Sequence, residues 1–223
     1  MKSKWKDIWN MLFILTLLWM MFGCWEFFAG FWWLKGCLGL TYENPLTIFT
    51  YWLVHDTPSH LGYNLACAWV VSVLLVYLIS IFETESLERE GKNNQIVGLV
   101  HIVSYISHNL KMVYLSSTIS GGPIAALLFL LLRPEGKSGG GSGVVYSFLG
   151  LVILVAIILF ISSLISRKPA PCLQSGVIAV ILLYFVFTSN IGVHHALALI
   201  SGLIFSLILA YVCIYIDRKL FGR

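Results

Sequence analysis

EGKSGGGSGVVYSFLG, residues 135–150, is the stretch on which the reading of this chain turns. A glycine-rich polar loop runs straight into a long apolar segment and leaves Ser142 at the junction. If Val144 to Ile165 is a helix, Ser142 stands at its N-terminus, where the first backbone N–H groups have no partner inside the helix and the macrodipole is positive. Developing negative charge is stabilised at such a place. Gly139, Gly140, Gly141 and Gly143 let the backbone come close to a bound substrate. The same composition also makes an ordinary flexible linker, so the polar residues elsewhere have to decide between the two.

Working outward, the chain is 59% hydrophobic and 11% charged, where a soluble domain carries about 25% charge. A soluble globular domain is excluded, and the expectation is a polytopic all-α membrane protein. At about 20 residues per crossing of ~30 Å of hydrocarbon, 223 residues accommodate six crossings and their loops, so that residues 1–223 read as a single membrane domain. The apolar run from Ile8 is too long and too aromatic for a signal-peptide core and is read as a retained helix. The net charge of +4 comes from loop lysines and arginines and points to no nucleic-acid partner. Cys24, Cys37, Cys67, Cys172 and Cys213 are scattered, with no CxxC or metal-ligand spacing, so neither a metal nor a cofactor is expected.

The expected crossings are residues 8–28, 61–82, 96–115, 143–166, 172–188 and 195–216. Between the first two lies a segment bearing Trp32, Trp33, Lys35, Tyr42 and Trp52, the composition of a loop half sunk at the headgroup level. In the third crossing His101, Ser104, Tyr105 and His108 recur at i, i+3, i+4 and i+7, so they share a face that is expected to point into the bundle. The apolar run 124–132 is too short to cross and is expected to be a re-entrant or interfacial part of the third loop. With six crossings, Lys2, Lys4, Lys6, Arg89, Lys92, Arg167, Lys168, Arg218, Lys219 and Arg223 fall on one side, against Lys35, Arg133 and Lys137 on the other. A seventh crossing would even out the two sides. The positive-inside bias therefore selects six, with both termini cytoplasmic in a plasma membrane.

The second, fourth and sixth crossings would then run in the same direction, and their N-termini carry His60 and Asn64, Ser142, and His194 and His195. Ionisable residues at membrane depth are costly and mark function by default. A serine within reach of a histidine is the minimal arrangement for nucleophilic acyl transfer.

In these residues the chain resembles the rhomboid intramembrane serine proteases. The family's GxSG motif stands as Gly140, Gly141, Ser142 and Gly143, followed by VVYSFLG with Tyr146 and Gly150. Its H-x4-H-x3-N pattern stands as His55, His60 and Asn64, and in the last crossing His195 is followed by the small residues Ala198 and Gly202. The resemblance spans roughly residues 51–212. It implies a bundle of six transmembrane helices with a membrane-embedded first external loop and an active site open to the external side. It further implies Ser142 as nucleophile and His195 as general base, with His60, Asn64 and the Ser142 N–H as oxyanion hole. Tyr146 would stack on the His195 imidazole, Gly202 would let two helices pack closely, and Glu83 would tie helix ends. The implied substrates are single-span membrane proteins, cut near the outer leaflet. The alternative is a proteolytically inactive relative that binds membrane-protein clients; such relatives usually lack the serine or the histidine, and here both are present. Asp56, beside Thr57 and Pro58, reads as a turn former and not as a third catalytic member.

Overall fold

A computed structural model of the chain describes residues 2–41, 43–84, 97–109, 113, 122–132, 141–188 and 193–221. Within them the elements are helices: α1 (Lys2–Gly23, continued by a π-helical turn, Cys24–Phe28), α2 (Trp33–Leu38), α3 (Pro58–Thr84), α4 (Val97–His108), α5 (Gly122–Leu132), α6 (Ser142–Ile165), α7 (Pro169–Thr188) and α8 (Val193–Phe221). Short 3-10 turns, Pro45–Phe49 and Tyr51–Leu53, lead into α3. Among the described residues, four stretches are helical, long and apolar enough to cross a membrane: Ile8–Phe28, Pro58–Thr84, Ser142–Ile165 and Pro169–Thr188. The chain is thus all-α, with four helices that could span a bilayer. The expected third crossing is described only over residues 97–109 and at Val113, and the expected sixth lies inside α8.

The centre of the molecule is α6. It is apolar on every side, and a helix of that kind has to be enclosed; Val144, Leu151, Val152, Val155, Ala156 and Leu159 are all completely buried. Helices α3, α7 and α8 pack around it. Two glycines let α6 and α8 come together. A Cβ on Gly150 would lie 2.3 Å from the Leu199 carbonyl oxygen, and one on Gly202 would lie 2.2 Å from that of Ser147. Close backbone approach through small residues is the usual way helices associate where water gives no hydrophobic push.

On the other side, α1 is fastened to α3 by the stacked rings of Trp9 and Trp69, 5.3 Å apart, and by the Trp69 indole N–H donating to Thr16 Oγ1 at 3.1 Å. At the far end of α3, the Ser107 hydroxyl on α4 donates to Glu83 at 2.6 Å, a tie between helix ends. The run 124–132 forms most of α5. Its 11 residues span about 16 Å at 1.5 Å per residue, half the hydrocarbon thickness. Ala126, Phe129 and Leu130 bury themselves against Leu40 and Tyr51 of the first loop, making a second small core, and α5 also packs on α8.

Two expectations need correction. The fifth apolar helix begins at Pro169 and not at Cys172, and its 20 residues are a full crossing length. Pro169 and Pro171 lie in its first turn, where a missing N–H is no loss. The polar stripe of α4 does not face inward as a unit. Val100, Val103, Ser104, Ile106 and Ser107 are buried, while His101 and His108 are exposed. The His108 ring needs no partner from another helix, because its Nδ1–H donates to the Ser104 carbonyl at 2.7 Å, one turn back.

Candidate active site

Three elements bring their N-terminal ends to the site. Thr57 caps α3: its Oγ1 accepts the His60 N–H at 3.1 Å, with Pro58 in the first helical position. The cap starts the helix so that His60 and Asn64 follow one turn apart on the same face. Helix α6 begins at Ser142, whose own N–H belongs to the unpaired first turn, since the first intrahelical bond runs from the Val145 N–H to the Gly141 carbonyl. Helix α8 brings in His195.

Ser142 Oγ and His195 Nε2 are 2.9 Å apart. The Tyr146 ring stacks on the imidazole at 4.5 Å between centroids and 22° between planes. In the tautomer that carries its proton on Nδ1, His195 would accept a hydrogen bond from the Ser142 hydroxyl through Nε2, the geometry a general base requires. Ser142 is 8% exposed and His195 is half-buried, so the pair is partly shielded from solvent. The Asn64 side chain is 1% exposed and its Nδ2 has no hydrogen-bond partner among the described residues. An unpaired buried donor costs about 1–3 kcal/mol, so this amide is free to receive an acceptor.

His55 plays a different part. Its Nε2 accepts the Gly141 N–H at 3.1 Å, and its ring meets His60 edge-on at 5.5 Å. It thereby fixes the residue before the serine. Gly141 is held from above as well: a Cβ there would lie 2.1 Å from the Trp19 ring, so only glycine fits. Trp19, fully buried, also packs edge-on against His55 at 5.5 Å. Behind this, the Glu26 carboxylate, 1% exposed, accepts the His55 backbone N–H at 3.1 Å. Asp56 pairs with Lys35 across the first loop. Gly143 is buried in the first turn of α6, and Gly202 lies against Ser147, two turns along α8 from His195. Gly140 lies outside the described residues.

Trp19 and Glu26 were not singled out from the sequence. Glu26 carried a signal, since a lone acidic residue inside an apolar run is a functional candidate by default. Trp19 carried none among so many aromatic neighbours.

Burial, reinforced by the nearby His60, lowers the His55 pKa from 6.5 to about 4. The neutral form is the one that can accept from Gly141. The unfolded chain takes up the proton at higher pH than the folded chain, so this contribution to stability is intact above pH 6.5 and drains away as pH falls from 6.5 toward 4. The loss amounts to roughly 3 kcal/mol at about 1.36 kcal/mol per unit. Thermal midpoints of the purified protein at pH 7.5 and at about pH 4.5 should therefore differ more for wild type than for His55→Gln, whose amide oxygen accepts but does not titrate. Parallel decline of the two proteins would mean His55 is not the group responsible.

Among the described residues, no group of three or more histidine, cysteine, aspartate or glutamate side chains is placed to hold a metal ion. The chain matches no family model, no curated protein and no solved structure.

Proposed function

We propose that this protein is a rhomboid-type intramembrane serine endopeptidase, a six-helix bundle in which Ser142 and His195 form the catalytic dyad. The observation that carries the reading is the 2.9 Å contact between Ser142 Oγ and His195 Nε2 beneath a stacked Tyr146. Two residues far apart in sequence, at the starts of two helices, lie at the distance that a nucleophile and its base would need.

In this reading Ser142 Oγ attacks the scissile carbonyl carbon as its proton passes to His195 Nε2. The new C–O bond puts negative charge on the carbonyl oxygen, which the Ser142 N–H, Asn64 Nδ2 and His60 receive. Collapse of the tetrahedral intermediate breaks the C–N bond, and His195 returns the proton to the leaving amine. Water then repeats the sequence on the acyl-enzyme and regenerates the serine. The substrates are membrane proteins with a single span, cut near the external face of a plasma membrane, and the first loop with its exposed Trp32, Trp33 and Phe49 sits at headgroup level. No metal or cofactor takes part.

A fluorophosphonate probe tests the chemistry directly. It should label Ser142 in the wild type and fail to label when His195 is replaced by Ala. Labelling that survives the loss of His195, or falls on another residue, would remove the dyad; absence of any labelling would favour a client-binding protein without catalysis. The oxyanion role has its own test. Asn64→Ala should lower kcat for cleavage about 10²–10³-fold with little change in KM, because the amide acts on charge present only in the transition state. An equal rise in KM with kcat unchanged would instead make Asn64 a substrate-binding group.

A further inference from the structure

Between α6 and α7, at the end remote from Ser142, lies a cavity of about 1020 Å³. Ligand pockets usually run to about 300–1,000 Å³, so this one is ample. Its walls are apolar, with Phe160, Leu164, Leu173 and Val180, and both cations of the α6–α7 connection, Arg167 and Lys168, line it. Ser163 lies behind the apolar wall, completely buried, with an Oγ that has no hydrogen-bond partner among the described residues.

The connection itself is built at a cost. The Lys168 N–H donates to the Ser163 carbonyl at 2.8 Å and the Arg167 N–H to that of Leu164 at 3.2 Å, the pair of bonds that closes a helix when the next residue turns left-handed. That residue is Arg167, at φ 54°, the only non-glycine with positive φ among the described residues. Glycine is the residue this position favours. An arginine kept where glycine would be easier suggests a use for its side chain.

We propose that this cavity binds a glycerophospholipid with an anionic headgroup, its phosphate held by Arg167 and Lys168 and its acyl chains lying in the groove between α6 and α7. Two cations at one end of an apolar groove match the order of groups along such a lipid. The assignment is independent of the chemistry at Ser142.

The test uses the purified full chain in an uncharged detergent, titrated with dioleoyl-phosphatidylglycerol or dioleoyl-phosphatidylcholine, with retained lipid counted by native mass spectrometry. The anionic lipid should be retained at lower concentration. Arg167→Gly should weaken its retention about fivefold, the worth of one cation near an anionic headgroup, while the thermal midpoint holds or rises because glycine enters the left-handed turn freely. Val180→Trp, which fills the groove, should weaken retention of both lipids. Equal retention of the two lipids, or unchanged retention by Arg167→Gly, would overturn the proposal. So would displacement of the lipid by an equal concentration of glycerol phosphate, which would mark a site for bare phosphate.

Discussion

Ser142→Ala and His195→Ala should each abolish cleavage of a reporter that carries a helix-destabilised transmembrane segment, lowering kcat by about 10⁴-fold or more. The size follows from how the two groups work. A serine hydroxyl is a poor nucleophile until a base takes its proton, and the base has nothing to activate once the hydroxyl is gone, so either loss removes the whole step. The double variant should consequently be no worse than either single one, as expected for residues acting as a unit. Neither change should unfold the protein. Ser142 and His195 sit at helix starts, 2.9 Å apart, while the core around them is made of the apolar faces of α3, α6 and α8. Two results would defeat this account: cleavage by Ser142→Ala at the wild-type rate, or losses in the double variant that multiply. The second would mean the residues act in separate steps.

The parts of this arrangement that could be read in the sequence are those where chemistry restricts the choice of residue. Ser142 among glycines, His195 ahead of Ala198 and Gly202, and His55, His60 and Asn64 at fixed intervals all stood out against apolar runs that have little reason to contain them. Helix extents were legible for a similar reason: the apolar runs are long, and Thr57 with Pro58 marks the start of α3. What stayed hidden was which way a face points. In a soluble protein an apolar stripe faces inward, but a helix in lipid is apolar both where it meets lipid and where it meets another helix. The stripe of α4 therefore could not reveal that Ser104 and Ser107 turn inward while His101 and His108 do not. The support behind the serine was hidden as well. Trp19 over Gly141 and Glu26 beneath the His55 backbone are contacts between residues more than 25 positions apart, and no local pattern records them. The run 124–132 could be excluded as a crossing by length, yet its partners in the first loop, Leu40 and Tyr51, follow only from the packing.

Gly202→Val should lower kcat for cleavage by about 10²-fold or more while leaving every reacting group in place. A Cβ at Gly202 would lie 2.2 Å from the Ser147 carbonyl oxygen and 2.8 Å from its Cα and carbonyl carbon, all of them backbone atoms of α6 that cannot rotate away. Ordinary contact begins near 3.4 Å, so the helices would have to part by about an ångström. A displacement of that size at reacting atoms costs on the order of 10²-fold in rate. Gly202→Ala should therefore lower kcat about 10²-fold. Valine brings two further methyl groups to the same place and should add a fall in thermal midpoint, since overpacking costs about 1–3 kcal/mol. The fluorophosphonate labelling rate of Ser142 should fall in step, because separating α8 from α6 withdraws His195 and the Tyr146 stack together. Gly62→Ala supplies the contrast. Nothing lies within 4 Å of a Cβ there although it is two residues from His60, so cleavage should persist and the midpoint should rise slightly, as glycine inside a helix is less stable than alanine by about 0.5–1 kcal/mol. Wild-type cleavage by Gly202→Ala would show that the rate does not depend on how closely α6 and α8 pack, and the 2.9 Å contact would lose its claim to be the catalytic geometry.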